Sequence, residues 1–372
     1  MIYLVDLEYV ESRYTAQWKD AFPQMLANAF QQDIVSIEGP DSIPPSTSPG
    51  AFLNFGGTNI YKSAQVIEIS RRFTEDIIQD GDQFVFADAW HTGILQLKYM
   101  AELLQKDITI HALWHAGSYD KHDFLGRLIG DKPWVRHTEE AIFHAVDKNY
   151  FASKFHMELF ANCFFHDPDW QKPKKAEYLS NKMVRSGWPM EYLEEMIRED
   201  VEDKEYTNKK DIILFPHRIA PEKQVDIFKD LEKELPQYEF IVCQEKELTK
   251  PEYHKLLGEA KMVFSANLQE TLGISCYEAL CTKGMPLVPE RLSYKEMYED
   301  RFMYPSKWTQ NWKEYQEHKE ELKEKIVTLM DSYNTNEVLA DIETNKQRLR
   351  LEYFGAANLY KEIYNNEPTR TL

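Results

Sequence analysis

Cysteine and glycine are both scarce in this chain, and each scarcity excludes something. Four cysteines stand among 372 residues, Cys163, Cys243, Cys276 and Cys281, with no Cys-x-x-Cys pair and each inside an apolar pattern. That argues against a disulfide framework and for buried thiols in a reducing compartment. Glycines number 14, and none forms a Gly-x-Gly-x-x-Gly turn after a strand, so a dinucleotide site is unsupported. The stretch Leu7 to Tyr14, after the first apolar run, has no glycine-rich turn. Long apolar runs are missing too; none nears the roughly 18 residues of a membrane span. Acids arrive by Asp6, which speaks against a signal peptide and for the cytoplasm as the expected location. Positive charge is in deficit, 44 Lys and Arg against 62 Asp and Glu, for a net charge of −18. Broad attraction to nucleic acid or to an anionic membrane is disfavoured, although a local basic groove is not.

What is present is ordinary globular material: 43% hydrophobic residues and no low-complexity tract. The length suits two domains better than one. Apolar runs at Ile2–Val5, Ile34–Ile37, Gln83–Ala87, Ile108–Leu113 and Asn149–Ala152 predict strands, separated by segments with helical spacing. The pattern restarts with strands at Asp211–Phe215, Glu239–Cys243 and Met262–Ala266. Alternation of this kind predicts doubly wound parallel sheets. One amphipathic helix is expected over Trp312–Tyr333, and another over Leu351–Tyr364.

The stretch Phe264 to Pro289 carries the chemistry. A strand ends at its start, Gly273 breaks the pattern, and a helix opens at Ile274. A strand, a glycine turn and a helix N-terminus form an anion site, because unpaired N–H groups and the positive dipole end point outward. Glu270 and Glu278 flank that turn, with seven residues between them. Carboxylates beside a phosphate site suit hydroxyl binding, and a ribose and a sugar ring supply hydroxyls; the plainer reading is a strand–helix junction with solvated acids.

The run Glu270-Thr-Leu-Gly273 … Glu278-Ala-Leu-Cys-Thr-Lys-Gly284-Met-Pro286 resembles the Glu-x7-Glu signature of the retaining GT-B glycosyltransferases, the glycogen-synthase-like superfamily. Thr271 stands where that family usually has glycine. Upstream, Ile212-Ile-Leu-Phe-Pro-His217-Arg218-Ile-Ala-Pro-Glu-Lys223 is similar to the strand, Arg and Lys that open the family's second domain. The resemblance implies an α/β fold of two Rossmann-like domains facing across a cleft. The expected parts are an acceptor-side domain over 1–190, a nucleotide-sugar domain over 191–350, and a helix over 351–372 crossing back to the first domain.

It also implies roles. Arg218 and Lys223 would bind the diphosphate, Glu270 would contact sugar hydroxyls, and Glu278 would hold the ribose. Thr271, Leu272 and Gly273 would complete the donor site. The alternative for Arg218 and Lys223 is surface charge at a helix start, where the dipole disfavours cations. Phe86-Ala-Asp-Ala-Trp90-His91-Thr-Gly93 and Thr109-Ile-His111-Ala-Leu-Trp-His115-Ala-Gly117 are similar to two glycogen-synthase segments. On that register His111 matches a histidine that meets the donor sugar. His91, His115 and Trp90 are acceptor-side candidates, and a buried core histidine is the alternative for each ring.

The expected reaction is transfer of a hexosyl or pentosyl unit from a nucleotide-diphosphate donor, a UDP-sugar first, to an acceptor hydroxyl with retention. No cofactor is implied beyond this co-substrate. No Asp-x-Asp motif is assigned as the metal site of the metal-dependent transferases, so no metal is implied either. A non-catalytic sugar-nucleotide sensor is the alternative. The acceptor is expected to be a saccharide or small molecule, with hydroxymethylated DNA bases close behind, since phage enzymes that modify them share this scaffold. Trp90, Trp114 and Trp134 could stack on a flipped base. Lys172, Lys174, Lys175, Lys182 and Arg185, flanked by Trp170 and Trp188, could hold phosphates or form a solvated loop.

Overall fold

A computed structural model describes residues 1–10, 14–41, 53–165 and 173–366, and for 173–176 it describes the backbone alone. The chain divides into two compact units. The first holds Met1–Met190 and the segment from Gly355; the second is Glu191–Phe354.

The first unit runs β1 (Ile2–Val5), α1 (Tyr14–Phe30), β2 (Ile34–Ile37), α2 (Phe55–Thr74), β3 (Gln83–Phe86), α3 (Gly93–Leu103) and β4 (Thr109–Trp114). It continues through α4 (Phe124–Ile129), α5 (Pro133–Ala145), β5 (Lys148–Phe151), α6 (Lys154–Phe164), α7 (Pro173–Lys182) and β6 (Met183–Arg185). The six strands are parallel, in the order β2-β1-β3-β4-β5-β6. Every residue of β1 and β3 is buried, as a sheet covered on both faces requires. Side chains fix the helix starts. The Asn54 carboxamide caps α2, Asp123 caps α4, Ser153 caps α6, and Pro133 opens α5.

The second unit runs α8 (Leu193–Asp200), β7 (Lys210–Phe215), α9 (Val225–Glu234), β8 (Glu239–Val242), α10 (Lys250–Glu259), β9 (Ala260–Phe264), α11 (Ile274–Cys281) and β10 (Met285–Pro289). After α12 (Tyr294–Met297) and β11 (Met303–Tyr304) come α13 (Trp312–Glu317), α14 (Lys319–Ser332) and α15 (Asn336–Glu352). The parallel order is β11-β10-β9-β7-β8. A capping box, Thr249 with Glu252, starts α10. The chain re-enters the first unit in α16 (Ala357–Asn365).

Several sequence boundaries move. The helical segment between β2 and β3 is α2, which stops at Thr74 because Asp76 turns left-handed at φ 54°. The single helix expected over Trp312–Tyr333 breaks at His318, whose φ of −118° leaves the helical range. The one expected over Leu351–Tyr364 is interrupted after Glu352, where Phe354 turns inward and stacks on Tyr277 at 3.8 Å. Part of the basic stretch taken for a loop is α7; Trp170 and Lys172 lie outside the described residues. No helix among the described residues is long and apolar enough to cross a membrane.

Candidate functional site

In each sheet the strand order reverses direction once, between β1 and β3 in the first unit and between β7 and β9 in the second. Such a switch point splays the loops that leave the carboxyl ends of its two strands, and open α/β sheets bind ligands there. In the second unit the departing segments are Pro216–His217–Arg218 after β7 and Ser265–Ala266–Asn267 after β9. The latter leads through Glu270 to Gly273, the residue before α11, with φ +77°. A Cβ there would lie 2.7 Å from the Tyr294 ring, so both conformation and space demand glycine.

Lys223 is brought to this turn by a single 3-10 turn, Pro221–Lys223, and is buried. Its ammonium donates to the Gln269 carbonyl at 2.6 Å and lies 3.4 Å from Glu270 Oε2. Burial would raise the Glu270 carboxyl, but the Lys223 charge, His217, and the N–H groups of Gly273 and Leu272 hold it below its ordinary value. The Thr271 N–H also donates to Glu270, at 3.2 Å. Glu270 itself therefore occupies the anion-binding end of α11. Arg218 pairs with the buried Glu222 at 2.6 Å. Glu278, on α11, is buried; Tyr253 donates to its Oε2 at 2.8 Å, and Lys250 sits 3.6 Å from its Oε1. Thr271 and Leu272 are buried between the two acids.

Beneath Glu270 lies a polar layer to which the sequence alone assigned no role. The Asn267 amide donates to Tyr294 Oη at 3.0 Å, and reaches His217 Nδ1 and Glu270 Oε2 at 3.5 Å each. Arg291 clamps this loop, donating to the carbonyls of Asn267 at 2.7 Å and Ala266 at 2.8 Å. Gln224 also donates to Ala266, at 2.6 Å. The signal was available for His217 alone, since it directly precedes Arg218 after an apolar strand; Asn267, Tyr294 and Arg291 meet only in three dimensions.

At the carboxyl ends of the first unit's strands, His115 follows β4. Its Nε2 donates to the Ala87 carbonyl at 2.6 Å, its Nδ1 accepts from the Tyr14 hydroxyl, and Trp188 packs on it at 4.6 Å between ring centres. Asp88, after β3, pairs with Lys62 at 2.9 Å. Burial opposes its charge, yet Lys62 and His115 bring its pKa down to about 2. Trp90 is half-buried, its indole N–H donating to Glu139 at 2.8 Å.

No protein-family model and no curated protein matches this chain. Solved structures do. The catalytic domain of starch synthase IV from Arabidopsis thaliana, bound to ADP and acarbose, superposes with a TM-score of 0.59 at 9% identity, covering 98% of both chains. Sucrose-phosphate synthase from Thermosynechococcus elongatus gives 0.54 at 10%, covering 98% of this chain and 99% of that one. Anabaena HepE in complex with UDP gives 0.53 at 11%, with 98% of both covered. The fold is GT-B. Against the TarM structure, at a TM-score of 0.50, this chain spans 58% of that chain's length.

Within the GT-B framework, several residues expected at the reacting end stand elsewhere. His111 lies in mid-strand and is fully buried; Nε2 donates to Gln83 Oε1 at 2.9 Å and Nδ1 accepts from the Tyr150 hydroxyl at 2.8 Å. Burial holds its pKa near 3, and it is a satisfied core residue outside the strand ends. The residue of that segment that does reach a strand end is His115. His91 also has both nitrogens engaged, donating to Gln65 at 3.0 Å and accepting the Gly93 N–H at 3.0 Å, so it fixes the start of α3. Trp114 is sealed in the core with its N–H on Asn149, which removes it as a stacking platform; Trp134 is 57% exposed. Lys182 donates to the carbonyls of His144 and Val146, so its charge serves the fold. The letters Asp-x-Asp do occur, at Asp80–Gly81–Asp82 and Asp167–Pro168–Asp169. The first is at the amino end of β3, where Asp82 pairs with the Met1 ammonium at 2.7 Å; the second lies outside the described residues. Among the described residues, Glu314, Glu317 and His318 bring ligand atoms within 4.8 Å of one another, with Lys307 already 3.4 Å from Glu314.

Proposed function

We propose that the second unit binds a nucleoside-diphosphate sugar and that the chain transfers the sugar, with retention of anomeric configuration, to an acceptor hydroxyl. One observation carries the reading: a buried lysine, the half-buried Glu270 carboxylate and a helix N-terminus meet at the topological switch point of a GT-B unit, with Glu278 buried farther along that helix. Departure of a diphosphate builds negative charge on its oxygens. Cations and N–H dipoles fixed in advance stabilise that charge, and no other contribution open to such a site is expected to be as large. Lys223, Arg218 and the Gly273 turn take that part. Glu270 accepts from sugar hydroxyls, for once a diphosphate draws Lys223 and the turn N–H groups its carboxylate oxygens are open to new donors. Glu278 accepts from ribose hydroxyls.

UDP is the first candidate base, supported by UDP in HepE, with ADP, bound in starch synthase IV, as the second. His115 and Trp90 serve the acceptor side, and the net charge of −18 favours a saccharide or small molecule there over DNA. A panel of UDP-, ADP-, GDP- and TDP-sugars, read by thermal unfolding, tests the reading. Ligand at about 100 times its Kd adds roughly 2.7 kcal/mol, so the cognate donor raises the Tm visibly. If every member leaves the Tm in place, the reading fails. Product formation then separates an enzyme from a sensor.

A further inference from the structure

Two polar atoms at the β7/β9 switch point have no hydrogen-bond partner although they are buried: His217 Nε2 and Asn267 Oδ1. The residues are 6% and 0% exposed. Native interiors leave few such atoms unmatched, because an unmade bond away from water costs about 1–3 kcal/mol. Other groups around them are engaged. Asn267 Nδ2 serves Tyr294 and approaches Glu270, while Ser265 and Tyr294 bond each other at 3.0 Å. Arg291 and Gln224 grip the backbone at 266–267, so Asn267 is held in place rather than free to turn elsewhere.

The chemistry of the open atoms says what they await. Asn267 Nδ2 lies against Tyr294, which leaves Oδ1 as an acceptor. Burial, then the neighbouring Lys223 charge, pushes His217 down to about 3, so its ring is neutral at any ordinary pH. The ring also bonds the Phe264 backbone, and Nε2, with no partner of its own, is left to donate or accept according to the tautomer. Glu270, 3.5 Å from the Asn267 amide, adds carboxylate oxygens. An amide oxygen, a neutral imidazole nitrogen and a carboxylate suit hydroxyl groups, which donate and accept at once. They do not suit a phosphate, which would meet two further oxygen acceptors.

We propose that His217 and Asn267 determine sugar specificity, reading hydroxyls of the donor's sugar ring beside Glu270 while Lys223 holds the diphosphate. This rests on the donor-site reading above. It is tested by calorimetric titration of the full chain, wild type, Asn267→Ala, His217→Ala and His217→Gln, with UDP and ADP, each free and as its glucose and galactose conjugates, and with free GDP and TDP.

The wild type is expected to bind a conjugate more tightly than the corresponding diphosphate and to separate glucose from galactose. Asn267→Ala and His217→Ala each lose about five- to tenfold of the affinity that the sugar adds, as expected for one hydrogen bond. Their affinity for the free diphosphate stays within about twofold, which also shows that they fold, and His217→Gln, which keeps an N–H donor, recovers part of the loss. Undiminished sugar affinity and discrimination in the Ala variants overturn the proposal. So does an equal loss for diphosphate and conjugate, which would make these residues supports of the whole site. If the wild type binds none of UDP, ADP, GDP and TDP, the donor-site reading falls first and this inference with it.

Discussion

The two switch points are built alike and furnished differently. At β1/β3, Asp6 ends the strand and its carboxylate accepts from Tyr61 at 2.7 Å and from Gln65 at 2.9 Å. Gln65 passes the network on to His91, which caps α3 through Gly93. Each of those groups is matched inside the protein. At β7/β9, His217 and Asn267 each keep one unmatched buried atom, and Lys223 is held by a carbonyl and a carboxylate that a stronger anion could displace. The Asp6 network closes on itself, although Glu8 Oε1 in the segment after β1 is unmatched. What sets the second crossing apart is that its unmatched atoms stand beside a buried cation, Lys223, and a carboxylate, Glu270, a combination that suits a ligand.

The largest break in that comparison is expected from Lys223→Ala. With only Arg218 left facing the leaving diphosphate, turnover falls by about a hundredfold or more, as removal of one charge-stabilising donor does. Steady-state kinetics with the donor found by the thermal panel would show it; a variant within tenfold of wild type refutes the leaving-group role. On the architectural side, His111→Leu should do the reverse. It strands the Gln83 and Tyr150 partners and lowers stability by about 2 kcal/mol, while kcat per folded molecule is unchanged. A large fall in kcat at unaltered stability would return His111 to the reacting end.

Glu278→Ala sharpens the comparison within the second unit. Affinity for the free nucleoside diphosphate should drop about tenfold, the worth of a hydrogen bond to a charged group. The drop should be much smaller for the 2′,3′-dideoxy nucleotide, whose sugar offers no hydroxyls to lose. Equal drops for both would place Glu278 outside ribose binding.

The smallest effect is a pH slope. Burial, against the pull of the Tyr61 hydrogen bond and the Lys19 charge, raises Asp6 from 3.8 to about 7. A raised carboxyl binds more protons folded than unfolded between these values. Its contribution to stability is therefore full below about pH 4 and is lost as pH rises through 7. Asp6→Asn removes that titration, so the variant's Tm relative to wild type should be highest at pH 8 and decline towards pH 5. A constant difference across that range would mean that Asp6 ionises normally.

The parallel strands were legible because a sheet covered on both faces needs continuous apolar runs, and Ile2–Val5 and Ile212–Phe215 supply them. The Gly273 turn was legible because a glycine interrupts the apolar pattern just before a helix opens; in the fold, the space beside Tyr294 leaves no room for a Cβ there. Glu270 could be picked out with Glu278 beside that turn, whereas Lys223 came with Arg218 from the family resemblance, and only the fold sets Lys223 against Glu270.

The histidine segments were not legible in the same way. A His within an apolar run reads identically whether it faces a ligand or a neighbouring strand. His111 and His115 are four residues apart, and only the position of the strand end decides that one is core and the other is not. Asn267 gave no local signal, since its meaning comes from Tyr294 and Arg291, 27 and 24 residues away. Sequence by itself determined the alternation of elements, the glycine-bearing turn and the acids beside it, all properties of short-range periodicity and backbone sterics. Tertiary structure alone decided which polar atoms find partners, because hydrogen-bond satisfaction depends on groups that the chain brings together from far apart.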